Sequence, residues 1–120
     1  MTETLPPAET FFRVPGRRLA VSSKQTGSDT TLFFVHGLGG NRQQWRLQWD
    51  RFSKEPINFV AWDALRHGAS ARSKHEQVCA SRFSLQELAA VLAAFPSLKR
   101  IIVAHSFGCR ITLEWISGLL

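Results

Sequence analysis

A short apolar run, Ile101-Ile102-Val103-Ala104, stops at His105-Ser106-Phe107-Gly108. An amphipathic stretch from Phe107 to Leu120 follows at once. This reads as strand, sharp turn and helix, with Ser106 at the apex. The flanking positions, Ala104 and Gly108, are small, as they must be where strand and helix pack closely around a strained serine. A serine hydroxyl presented in this way is a nucleophile once a base takes its proton. The plainer alternative is a serine that caps the last helix. Earlier in the chain, Thr31 to Val35 runs into His36-Gly37-Leu38-Gly39-Gly40. Glycines there let backbone N–H groups turn toward one point, which suits the negative charge that acyl transfer places on a carbonyl oxygen. Alone, that loop would be only a glycine turn after a strand.

The elements that must position these groups are legible from periodicity. Residues 1–9 read as a loose polar leader, and 10–120 as one domain or part of one. Phe11 to Val14 and Arg18 to Ser22 are β-prone runs around Pro15-Gly16, a hairpin signal. Thr31–Val35, Ile57–Trp62 and Lys99–Ala104 are continuous apolar runs, as expected of strands buried on both faces. Asn41 to Phe52 reads as a helix with Asn41 as N-cap and Trp45, Trp49 and Phe52 on one face. Asp63 to Ala80 reads as a loop. Ser84-Leu85-Gln86-Glu87 has the spacing of a capping box, opening a helix with Leu85, Leu88, Leu92 and Phe95 as its apolar face and Pro96 as its stop. The order hairpin, then β-α-β-α-β-α, predicts an α/β fold. Its sheet is mostly parallel, with right-handed crossovers and flanking helices. Each buried strand therefore delivers an unusual loop at its carboxyl end, where open α/β sheets bind ligands.

With three such loops in this order, the chain resembles the α/β-hydrolase family of serine hydrolases. The Ala-His-Ser-Phe-Gly pentapeptide stands for the nucleophile elbow Gly-x-Ser-x-Gly, with alanine at its first position. The resemblance implies Ser106 as nucleophile and the backbone N–H groups of Leu38 and Phe107 as the oxyanion hole. His36, Gly37, Gly39, Gly40 and Gly108 would be supporting loop residues. It matches Asp63, Gly68 and Ser70 to the family's Asp-x-x-Gly-x-Gly-x-Ser segment, with Arg66 where the first glycine is usual. Asp63 and His67 are expected to be structural. His105 is expected to pack, His75 to be solvated, and Cys109 to be a small core residue. A serine nucleophile disfavours the aspartate-dependent epoxide hydrolases and dehalogenases. It leaves ester, thioester, lactone or carbon–carbon bond hydrolysis of a small-molecule carbonyl substrate, and the loop pair resembles the small esterase, lactonase and peroxidase-like branch.

In the family, the triad acid and histidine follow the serine well beyond the elbow helix. The resemblance therefore covers the N-terminal half of such a domain, truncated after that helix, and implies inactivity for this stretch alone. It also implies an apolar edge at Lys99–Ala104, which leaves room for self-association through that strand. A non-catalytic α/β-hydrolase-fold binding module is the alternative.

Composition narrows the other classes. At 120 residues with 44% apolar content, the chain is globular in type. No apolar run approaches the ~20 residues of a membrane span. Residues 1–9 contain no secretory h-region, so a cytoplasmic location is expected. The formal charge of +6 comes from scattered basic residues without a recognisable nucleic-acid motif, so no specific nucleic-acid partner is expected. Cys79 and Cys109 have no metal spacing and read as reduced thiols. No metal and no organic cofactor is implied.

Overall fold

Two strands of unbroken hydrophobicity, Thr30–Val35 and Asn58–Asp63, lie side by side inside the sheet. The computed structural model describes residues 5, 9–13, 17–73, 75, 77 and 84–119, with 9–13 as backbone. The elements are β1 (Glu9–Arg13), β2 (Arg18–Lys24), β3 (Thr30–Val35), α1 (Arg46–Phe52), β4 (Asn58–Asp63), α2 (Ser84–Ala94), β5 (Lys99–Ala104) and α3 (Phe107–Leu119). Short 3-10 turns span Arg42–Trp45 and Gly68–Ser70. The spatial order is β1-β2-β4-β3-β5. β3 runs parallel to both β4 and β5, whereas the expected hairpin β1–β2 joins β4 antiparallel, so the sheet is mixed.

Alternation along each central strand feeds two cores. Phe33, Val35, Val60 and Trp62 pack with Leu88, Val91 and Leu92 of α2 and with Phe95 just after it. Leu32, Phe34, Phe59 and Ala61 pack on the other face with Trp45 and Trp49. Phe34 stacks on Phe59 with ring centroids 5.4 Å apart. Burying side chains of this size contributes roughly 1.5–3 kcal/mol each. β3 and β4 are buried along nearly their whole length, as their apolar runs require.

Several local expectations need revision. Asn41 does cap, its side chain accepting the Gln43 N–H, but the first turn is 3-10 before α1 begins. Arg42 N–H donates there to Asp63 Oδ1 at 2.6 Å, which tightens the turn. In α2, Leu85 is exposed, and the inward face is Leu88, Val91 and Leu92, with Phe95 just after the helix. Glu87, read as half of a capping box, is buried and accepts the amide of Leu65 at 2.8 Å. β5 is not buried on both faces. It is an apolar edge strand, as the family resemblance implied, with Ile101 48% exposed. On α3 the 100° helical step puts Cys109, Leu113 and Ile116 on one exposed flank, so Cys109 is a free surface thiol and not a core residue. The hairpin turn at 14–16, Cys79 and most of the leader lie outside the described residues, although Leu5 is buried and Glu9 already belongs to β1.

Gly108 sets how closely α3 approaches the sheet. A Cβ there would lie 2.7 Å from the Val35 carbonyl oxygen and 2.9 Å from Val35 Cγ1. Gly108→Ala is expected to destabilise the chain by about 1–3 kcal/mol through overpacking. A lowered midpoint in urea denaturation, at unchanged slope, would register it.

Candidate active site

Ser106 sits where β5 hands over to α3, and its backbone is in the left-handed region at φ 56°. That conformation is unfavourable for a residue with a Cβ and is held here by the bonds around it. His105 N–H donates to the Val35 carbonyl, Gly108 N–H to His105 O, and Cys109 N–H to Ser106 O. The serine is thereby raised on a tight turn, exposed, at the carboxyl end of the sheet. His105, expected to pack, is exposed on the same turn, because no element among the described residues covers the β5 edge.

The glycine loop lies directly against this turn. A Cβ on Gly37 would fall 3.1 Å from Ser106 Cβ and 3.0 Å from His105 Nδ1. Gly39 has φ 84°, and Gly40 N–H closes the loop onto Gly37 O at 3.0 Å. Leu38 and Phe107 both line one hollow that is partly open to solvent. Val35, Trp62, Leu65, Leu88 and Ile111 make its walls largely apolar. The fold thus brings together the serine, the glycine loop and the first residue of α3 from three separate stretches of chain.

The third loop supports the other two. The Asp63 carboxylate is fully buried and accepts Arg42 N–H, Arg42 Nη1–H at 2.5 Å and Ala69 N–H at 2.8 Å. Gly68 (φ 47°) is pressed so close to this carboxylate that a Cβ would overlap it. Arg66, in place of the usual glycine, still takes a positive φ of 68°, so the turn survives the substitution. Ser70 Oγ donates to Asp63 O and accepts Ala20 N–H, tying the loop to β2.

His36 and His67 are buried with ring centroids 5.0 Å apart. Ala64 N–H donates to His36 Nε2, and Gly39 N–H donates to His67 Nε2, each at 3.0 Å. An acceptor nitrogen carries no proton, so each ring bears its hydrogen on Nδ1. From there His36 donates to Gly37 O and His67 to Leu65 O. Burial, above all, holds His36 below its ordinary value of 6.5. The Gly37 carbonyl opposes this, His67 reinforces it, and Asp63 opposes it in smaller measure. Neither ring has a nitrogen left to serve as general base. His75 is exposed, with its backbone on Ser73.

Two contributors were not anticipated at the site: Arg42, and Glu87, which was read only as a capping residue. Arg42 bridges β2 to the third loop, its Nε donating to Ser22 Oγ as its Nη1 holds Asp63. Glu87 borders the hollow, with Oε2 buried and without a hydrogen-bond partner among the described residues. Burial pushes its carboxyl up to about 7, against the lowering effects of the Leu65 N–H and the Arg17 charge. Between the ordinary 4.5 and about 7, the folded state holds a proton that the unfolded chain releases. Stability is therefore present at low pH and falls as pH rises through that window. Glu87→Gln keeps an acceptor for Leu65 and cannot ionise. It is expected to gain on the order of 1–2 kcal/mol at pH 8 and little at pH 5, read from paired urea titrations.

Against known proteins, residues 32–120 match the family model described as the alpha/beta hydrolase family. Protein ABHD8 of Mus musculus is 29% identical over 87 residues, covering 72% of this chain and 20% of the relative; ABHD8 of Homo sapiens matches equally. The chain thus spans about a fifth of the length of these curated relatives. Among solved structures, an alpha/beta hydrolase fold protein from Burkholderia ambifaria superposes with TM-score 0.75 at 22% identity, over 98% of this chain and 42% of that one. The thioesterase domain from the curacin biosynthetic pathway gives TM-score 0.77 at 19% identity, over 94% and 40%. Left-handed serine, apposed glycine loop and matched sequence together lead to one conclusion: the chain belongs to the α/β-hydrolase family and carries part of its domain.

Proposed function

We propose that this chain carries the nucleophile half of a serine hydrolase acting on ester, thioester or related carbonyl substrates. The observation that supports it most is the left-handed Ser106 with Gly37 packed against its Cβ. In the proposed reaction, Ser106 Oγ bonds to the carbonyl carbon and its proton passes to an imidazole. The carbonyl electrons move onto oxygen, where the N–H groups of Leu38 and Phe107 stabilise the charge. Preorganised donors of this kind are worth about 3–4 kcal/mol each in comparable sites. The tetrahedral species collapses, the leaving group takes the proton, and water then hydrolyses the acyl-serine.

The imidazole and its acid partner belong to residues outside this sequence. His36 and His67 have both ring nitrogens engaged by backbone groups, which supports that assignment. By itself this stretch is then inactive.

A second reading, a non-catalytic binding or self-associating module, is favoured by one specific feature. The β5 edge and the α3 flank leave Ile101, Leu113, Ile116 and Leu119 exposed. Unpaired strand edges of this kind recruit further strands.

Two measurements separate these readings. The first is intact mass after fluorophosphonate treatment of the 120-residue chain and of the longest reading frame containing it, each beside Ser106→Ala. Hydrolase function predicts one adduct on the longer protein, absent in the variant. It also predicts labelling at least ~10³-fold slower in the short chain, as loss of triad partners entails. An adduct that survives Ser106→Ala overturns it. The second is light scattering on the 120-residue chain. The module reading predicts a stable oligomer that Ile101→Lys dissociates, and a monodisperse parent monomer ends that reading.

A further inference from the structure

We propose that His36 and His67 form a neutral-imidazole clamp that locks the glycine loop, residues 36–40, onto the Asp63 loop, residues 63–70, and lets go when either ring is protonated. The tie is reciprocal. The glycine loop sends the His36 ring to accept the Ala64 amide, and the Asp63 loop sends the His67 ring to accept the Gly39 amide. Both rings are anchored from behind by their Nδ1–H on backbone carbonyls, Gly37 O at 2.6 Å and Leu65 O at 2.9 Å. Every ring nitrogen therefore has a backbone partner of the right kind for one protonation state alone.

An imidazolium has two donors and no acceptor. Protonation would set Nε2–H against an amide N–H at 3.0 Å, so the Ala64 or Gly39 bond must break. Charging both rings would place two cations about one ring diameter apart, given the 5.0 Å centroid separation. The surrounding charges do not rescue the cationic form. Asp63 is the nearest carboxylate, but Arg42 neutralises it and the Ala69 amide occupies it. Glu87 on α2 is held by the Leu65 amide, with Arg17 acting on it. His105, across Gly37 on the β5–α3 turn, adds a further titratable ring and no negative charge. Arg66, on the Asp63 loop itself, adds positive charge.

The sign follows from burial. A histidine held below its ordinary 6.5 binds its proton more weakly in the folded chain than in the unfolded one. Its contribution is complete above the ordinary value and is lost as pH falls below it. The clamp stands whether or not the chain is a hydrolase. Its consequence, displacement of the Leu38 amide on acidification, rests on the oxyanion reading proposed above.

The test is NMR on the 120-residue chain at pH 7.5 and pH 5, reading ring ¹⁵N shifts and amide exchange. At pH 7.5, both rings are expected as the Nδ1–H tautomer. On moving to pH 5, protection factors at Ala64, whose amide the His36 ring accepts, are expected to fall by tenfold or more. Those at Val60, inside β4, should change less than twofold. In His36→Gln, whose side chain accepts and donates without titrating, the Ala64 protection factor should stay within threefold across the same range. An Nε2–H tautomer in either ring at pH 7.5 overturns the clamp. So does protonation of His36 with Ala64 protection unchanged. The tautomer is read in the parent chain, so the proposal stays falsifiable even if the variant fails to fold. Neither readout depends on Ser106 reactivity, so failure of the clamp and failure of the hydrolase reading are separate results.

Discussion

One buried carboxylate organises the carboxyl end of this sheet. Asp63 terminates β4 with no exposure to solvent and must be compensated where it sits. Removing one partner of such a pair typically costs about 3–5 kcal/mol, because an uncompensated charge remains. Arg42 supplies the compensation through its amide and guanidinium, and in doing so fixes where the chain turns into α1. Ala69 supplies a third donor, which curls residues 64–70 back over the strand end. That curl requires positive φ at Arg66 and Gly68, and it delivers Ser70 to β2 and His67 to the glycine loop. The Ala64, Leu65 and His67 side of the hollow is therefore held in place by a carboxylate that does not itself line it.

The same logic explains why histidines near a serine need not be its base. A base must offer a lone pair to the serine proton. His36 and His67 spend theirs on Ala64 and Gly39 amides, and burial holds His36 toward its neutral form. Proximity along the chain is no better a guide. His105 is the residue before Ser106, yet its ring lies toward Gly37 and solvent on an open edge.

Two buried titratable groups around the hollow pull stability in opposite directions. Glu87 favours acid because its protonated form is the one suited to a dry site. His36 favours neutral to alkaline pH because its unprotonated form is the one that accepts an amide. The Glu87 contribution is lost as pH rises from 4.5 through about 7 and the His36 contribution as pH falls below 6.5, so the two windows overlap on the acid side of neutrality.

The central strands were legible in the sequence because residues buried on two faces must be apolar at every position, whatever surrounds them. The serine turn and the glycine loop were legible because close backbone approach admits only small residues, and Gly37 and Gly108 show that constraint directly. The Asn41 cap was legible because its bond is local. What depends on distant neighbours was not. Glu87 has the spacing of a capping partner, and only the packing of α2 against the Asp63 loop turns it inward to Leu65. The antiparallel seating of β2 on β4 joins residues about forty apart, and no local pattern encodes it. Exposure at His105 and Cys109 is set by what lies across the sheet edge, which the residue types themselves do not record. Sequence alone thus determined the strands, the turns and the candidate nucleophile, because local sterics and burial dictate them. Tertiary structure alone decided which polar groups are spent on scaffolding, because that depends on which backbone donors the fold brings within 3 Å of each side chain.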